Sequence, residues 1–204
     1  MRAFLSGLLL SVCLLAGPAL AQEDPAPADP ADEMPLAADA SAAERAARLD
    51  RLFDRLATAE SAEDAKRYEA SIDEIWSHSG SDTADLLTLR AVDLVAGEDQ
   101  DGALKLLGAA LEVKPDFAEG WNKRATLYFL KGDYAGAMVS IRETLRHEPR
   151  HYGAWAGLGR ILQQTGDDRR ALDAYRRALA LHPYLEGLKD EVEEIAQKLR
   201  GDTL

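Results

Sequence analysis

Residues 152–185 read YGAWAGLGRILQQTGDDRRALDAYRRALALHPYL, and they divide at Gly166. Before the division, Trp155, Leu158, Gly159 and Leu162 recur at i, i+3, i+4 and i+7, one face of a helix. After it, Ala171, Tyr175 and Ala178 repeat the same spacing, and Pro183 ends the run. The stretch therefore predicts two helices joined by a short turn, TGDD. Small residues at Gly159 and Ala171 allow the helix backbones to approach each other, and Tyr175 supplies bulk beside them.

The same register occurs twice upstream, at a spacing of 34 residues and without a gap, over residues 84–117 and 118–151. Leu87, Trp121 and Trp155 share one place, and Ala91, Ala125 and Gly159 share the next. Ala103, Ala137 and Ala171 mark a third, Leu107, Ile141 and Tyr175 a fourth, and Pro115, Pro149 and Pro183 close each unit. A period of 34, with an aromatic early, alanine in the middle and proline last, resembles the tetratricopeptide repeat. The resemblance covers residues 84–183, about half of the chain. It implies an all-α, right-handed superhelical solenoid of helix-turn-helix repeats with flanking capping helices.

One hairpin of this kind cannot bury its own apolar face, so the units must stack and the stack needs lids. Residues 41–80 predict an N-terminal helical hairpin, a degenerate repeat or cap expected to close the front. SAAE at 41–44 is a capping box, and Leu49, Leu52, Phe53 and Leu56 form its first stripe. Ala65, Tyr68, Ile72, Ile75 and Trp76 form the second. At the back, residues 186–204 predict a capping helix with Leu188, Val192, Ile195 and Leu199 inward.

Residues 1–21 read as a cleavable signal peptide, with Arg2, a compact apolar run and ALA at Ala19–Ala21. An uncleaved anchor is the alternative. Residues 22–40 carry four prolines and six acids with no base, an extended acidic linker. The expected location is periplasmic or secreted. Cys13 is the only cysteine and falls in the leader, so disulfides and thiolate metal sites are excluded from the mature chain.

The formal charge of −12 argues against a nucleic-acid binder. No nucleophile elbow or phosphate loop is present, and no cofactor is expected. HEPRH at His147–His151 matches the zinc-protease pattern, but Pro149 divides the two histidines between elements. A zinc enzyme built on it is the weakest reading. The resemblance implies instead a concave groove that holds a protein or peptide partner. By register the groove comprises Asp85, Thr88 and Val92 from the first unit, and Glu119, Asn122, Lys123, Thr126 and Phe129 from the second. Arg160, Gln163 and Gln164 complete it from the third. The lining mixes amides, a hydroxyl, an aromatic ring and charge, which suits an extended or helical peptide. A structural subunit that oligomerises through its terminal helices is the alternative. Units two and three each carry two net positive charges, against four net negative on the first, so an acidic partner or the chain's own tether could be drawn to them.

WNKRATLYFLKGDY at 121–134 contains one residue whose expected role is structural. Arg124 falls on the packed face, beside Trp121, Ala125 and Tyr128, and is expected to pair with Glu143 or Glu112. Losing a buried pair of that kind costs about 3 kcal/mol.

Overall fold

The computed structural model describes residues 41–201. The leader, the linker and residues 202–204 lie outside the described residues. Within them all regular structure is helical: α1 Ala42–Ala57, α2 Ala62–Ser77, α3 Asp82–Ala96, α4 Gln100–Val113, α5 Ala118–Leu130, α6 Tyr134–His147, α7 Tyr152–Gln164, α8 Asp168–Leu181 and α9 Leu188–Gly201. Helices α3–α4, α5–α6 and α7–α8 are the three 34-residue units.

Most of the helix starts have a local cause. The Ser41 side chain accepts from the Glu44 N–H at 3.2 Å, and Glu44 Oε2 accepts from the Ser41 N–H at 2.7 Å, which completes the capping box. Ser61 and Ser81 cap α2 and α3 in the simpler way. The second helix of every unit is capped by an aspartate at the same register: Asp99, Asp133 and Asp167 accept from Gly102, Gly136 and Arg170. The turns just before these caps need a left-handed residue. Gly132 and Gly166 supply it at φ 75° and 83°, whereas the first unit places Glu98 there at φ 65°. The glycine of that turn, Gly97, sits one residue early with an ordinary φ of −87°.

Within the third unit, a Cβ on Gly159 would lie 2.4 Å from the Tyr175 ring. The smallest residue thus faces the largest, where the other units pair alanine with Leu107 or Ile141, so interhelical volume is conserved. Between units, Leu127 of α5 packs with Leu107 of α4, and Ala154 and Ile161 of α7 pack with Ile141 of α6. Helix α9 closes the back, with Leu188 and Ile195 buried and Val192 and Leu199 packed beside them.

The hairpin α1–α2 differs from expectation. Its apolar face does not close the front of the first unit. Leu49, Leu52, Phe53, Ile72, Ile75 and Trp76 form a core with Tyr152, and Leu181, Tyr184 and Leu185 pack against it. The hairpin therefore lies along the edge of the stack, over the turns that enter and leave the third unit. Leu86 and Leu89 on α3 are left 49% and 60% exposed.

The physical reason is partner chemistry. The Tyr152 hydroxyl donates to Asp73 at 2.7 Å, Arg150 reaches Asp50 at 2.7 Å, and Trp76 stacks on the His151 ring at 4.2 Å between centroids. His182, buried beneath α2, stands 3.4 Å from Glu69.

Candidate functional site

Between α3 and α5 runs an open cleft of about 430 Å³. Its floor and walls are Ala91, Val92, Val95 and Ala96 from α3, Leu107 from α4, and Leu127 and Leu130 from α5. Glu119, Asn122, Lys123 and Thr126 form the polar margin on α5. The geometry follows from the register: residues 119, 122, 123 and 126 share one helical face, as do 91, 92, 95 and 96.

The structure thus brings together five of the eleven residues expected in the groove: Val92, Glu119, Asn122, Lys123 and Thr126. The other six lie elsewhere. Asp85 accepts from the Ser79 N–H at 2.8 Å and fixes the link from α2 into α3. Thr88 is buried. Phe129 is half-buried and packs its ring against Tyr134, 5.6 Å away. Gln163 accepts from the Tyr175 hydroxyl at 2.8 Å, while Arg160 and Gln164 are exposed on the third unit away from the cleft. The apolar floor is the missing part. Val95 and Ala96, one turn beyond Val92, carried the signal, because they continue the apolar side of α3 on the face that Val92 already marks.

The polar margin is already organised. Glu119 Oε2 meets His151 Nε2 at 3.0 Å and accepts from the Asn122 amide at 3.0 Å, and its other oxygen meets Lys123 Nζ at 2.8 Å. Burial opposes ionisation of this carboxyl, but the His151 hydrogen bond and the Lys123 charge hold it down at about 2. Since the Ala154 N–H donates to His151 Nδ1 at 3.1 Å, the ring proton sits on Nε2 and is donated to Glu119. Nearby Asp73 is pushed the other way: burial raises its pKa, and the charges of Glu119 and Glu69 add to that against the Tyr152 hydrogen bond.

Arg124 corrects a second expectation. It is half-buried, and neither Glu143 nor Glu112 pairs with it. Its Nε donates to Ser140 Oγ at 3.2 Å, and its guanidinium lies 4.1 Å from the centre of the Trp121 ring. Glu143 instead holds Arg146, at 2.6 Å. A cation over an indole face needs no carboxylate.

The tetratricopeptide repeat models match residues 88–141 and 128–184. A TPR repeat-containing protein of Rhizobium etli is 37% identical over 155 residues, 76% of either chain. The chain belongs to the tetratricopeptide repeat family. Beyond the Rhizobium protein, the subunit 3 of the anaphase-promoting complex of Schizosaccharomyces pombe is 30% identical over 40% of this chain and 12% of its own length. Among solved structures, the first TPR domain of Spaghetti (RPAP3) bound to the HSP90 peptide SRMEEVD superposes with a TM-score of 0.57. It is 20% identical, with 59% of this chain and 95% of that one covered. The Sgt2 TPR domain of Aspergillus fumigatus gives 0.55 at 20% identity, over 60% of this chain and 83% of that one. At that identity the likeness is one of fold.

The helix-turn-helix period of the TPR also fixes the place of the two HEPRH histidines. His147 ends α6, and His151 caps α7 across the Pro149 turn. His151 uses one ring nitrogen for the cap and the other for Glu119. Its chemistry is that of a buried joint between the hairpin and the solenoid.

Proposed function

We propose that this TPR protein is a non-catalytic interaction module that binds a segment of another protein in the cleft between α3 and α5. The observation that carries the reading is the composition of that cleft. Its walls are aliphatic from end to end, and its polar groups, Asn122, Lys123 and Thr126, stand on one margin. A peptide has that same division, apolar side chains for the floor and backbone amides for the edge. Catalysis would need a reactive group, and the half-buried carboxylate at the margin, Glu119, is already bonded to three partners. Family membership agrees, since TPR proteins serve in general as interaction modules. A related fold, the first TPR domain of RPAP3, was solved with a peptide bound.

The work is proposed to take place in the cell envelope, on the strength of the leader-like residues 1–21. Cell fractionation with sequencing of the mature N-terminus tests the location. For binding, peptides are selected on the full chain from a random display library and then titrated. Thr126→Trp fills the cleft from an exposed position and should weaken the selected peptides at least tenfold without lowering the melting temperature. Unchanged affinity in that variant would mean that the cleft is not the site.

A further inference from the structure

The front of the stack carries a second surface, distinct from the cleft. Three places on the first helix of unit three pack against the second helix of the unit before, and unit two does the same at two of them, its middle place being Lys123, which lines the cleft. Gly120 and Ala154 hold the first place. A Cβ on Gly120 would lie 3.1 Å from Leu111 of α4, and Ala154 is buried against Ile141 of α6. At the second place of the third unit, a Cβ on Gly157 would lie 3.2 Å from Ile141. Leu127 and Ile161 hold the third place, packed with Leu107 and Ile141.

In the first unit these places are Leu86, Leu89 and Asp93, and all three are exposed. The hairpin that could have covered them has its apolar face engaged at the edge. Asp82, also exposed, extends the series. Residues 82, 86, 89 and 93 are spaced 4, 3, 4 and so fall on one straight line along α3, acid–leucine–leucine–acid, with Arg90 to one side. The two carboxylates stand about 16 Å apart along the helix axis.

We propose that this line is a docking surface for an amphipathic helix of a partner protein that carries two apolar residues flanked by basic ones. The matching pattern on the partner is Lys or Arg at i and i+11, with Leu, Ile or Met at i+4 and i+7. The surface copies the way the solenoid already covers its own helices, so the natural occupant is a helix. Charge selects which helix. A second copy of this chain would set Asp82 and Asp93 against the same acids, and residues 84–117 carry seven acids against three bases. The chain's own residues 22–40 hold six acids and no base, and are repelled for the same reason.

The test uses the full chain and a helical, monomeric probe peptide with Lys at i and i+11 and Leu at i+4 and i+7, followed by fluorescence anisotropy. A control peptide carries Glu in place of both lysines. The lysine peptide should bind, and the glutamate peptide should bind at least tenfold more weakly. Leu86→Ser/Leu89→Ser should cost at least tenfold, and Asp82→Asn/Asp93→Asn several-fold, with circular dichroism unchanged because all four side chains are exposed. Equal binding of both peptides, or full binding by the leucine variant, overturns the proposal. Self-association in sedimentation that the leucine variant abolishes, with no binding of the lysine peptide, overturns it in favour of a second copy. Thr126→Trp should leave this binding intact, so the result is independent of the cleft.

Discussion

Moving the glycine of the first turn by one residue should stabilise the first unit by about 1–2 kcal/mol. Glu98 adopts φ 65° where units two and three place Gly132 and Gly166. A left-handed conformation costs an L-residue about 1–2 kcal/mol, because Cβ crowds the following carbonyl. Glycine escapes that cost but takes back about 0.5–1 kcal/mol in unfolded-state entropy. Glu98→Gly alone should therefore gain about 0.5–1 kcal/mol. Gly97, at φ −87°, has no need to be glycine, and a Cβ there would meet only the Asp93 and Leu94 carbonyl oxygens at 3.6 Å, an ordinary contact. Gly97→Ala should add about 0.4–1 kcal/mol by restricting the unfolded chain.

Urea denaturation reads the gain, and amide exchange locates it. Repeat arrays open locally, so amides of α3 and α4 should slow by up to about thirtyfold while those of α8 stay near the parent rate. The converse control is Gly166→Glu, at φ 83° with open space around the new Cβ, which should lose about what Glu98→Gly gains. If both Glu98→Gly and Gly166→Glu leave the midpoint unchanged, backbone strain at this turn is not a stability term and the reasoning fails.

Arg124→Ala should cost about 1–1.5 kcal/mol in urea, the sum of a partly exposed cation–π contact and one hydrogen bond, and a loss near 3 kcal/mol would restore a buried ion pair. Gly159→Ala should lose about 1–3 kcal/mol because its Cβ would overlap the Tyr175 ring, and a neutral result in the same assay would show that the ring moves aside freely. The Glu119 carboxyl is depressed to about 2, so its contribution is complete above the ordinary carboxylate range and is lost as pH falls from about 4.5 to about 2. Glu119→Gln should remove about 2.5 kcal/mol of that acid limb, measured as the difference in stability between pH 6 and pH 2.5. Asp73 is shifted upward, so its ionisation costs stability as pH rises through its folded-state value. Asp73→Asn keeps an acceptor for the Tyr152 hydroxyl and should hold or raise the melting temperature at pH 7, and a clear fall would show that the charge itself anchors the hairpin.

The repeat architecture was legible because it is written in a fixed period. Trp121 and Trp155, the Ala103–Ala137–Ala171 series and the three prolines each meet one geometric need of a stacked hairpin, so spacing alone revealed them. Half of the cleft was legible for the same reason: Val92 on α3 and Asn122 and Thr126 on α5 stand on two facing surfaces that register defines. The rest was not, because it depends on contacts between residues far apart in sequence. Phe129 was drawn away by Tyr134 across a turn, and Gln163 by Tyr175 on the neighbouring helix. Arg124 shows a different limit. Its position was readable, but the choice of Trp121 and Ser140 over Glu143 depends on where Arg146 places its own guanidinium.

The hairpin's position has an electrostatic cause that the charge distribution foreshadowed. Residues 41–80 carry nine acids against six bases, and the two basic units are the second and third. Stacked on the front, the hairpin would cover Asp93 and take that carboxylate out of water, which is costly wherever the charge is left unpaired. Docked on the edge, two of its interface acids meet a donor, Asp50 at Arg150 and Asp73 at the Tyr152 hydroxyl, and Glu69 stands 3.4 Å from the buried His182 ring without a hydrogen bond to it. The apolar gain from Phe53, Ile72 and Trp76 needs only some greasy surface, and Tyr152, Leu181 and Leu185 provide it. Apolar burial drives the hairpin onto the solenoid, and the donors decide where it lands. The same choice leaves Leu86 and Leu89 uncovered, so the exposed front of the first unit follows from the charges on the hairpin that declined it.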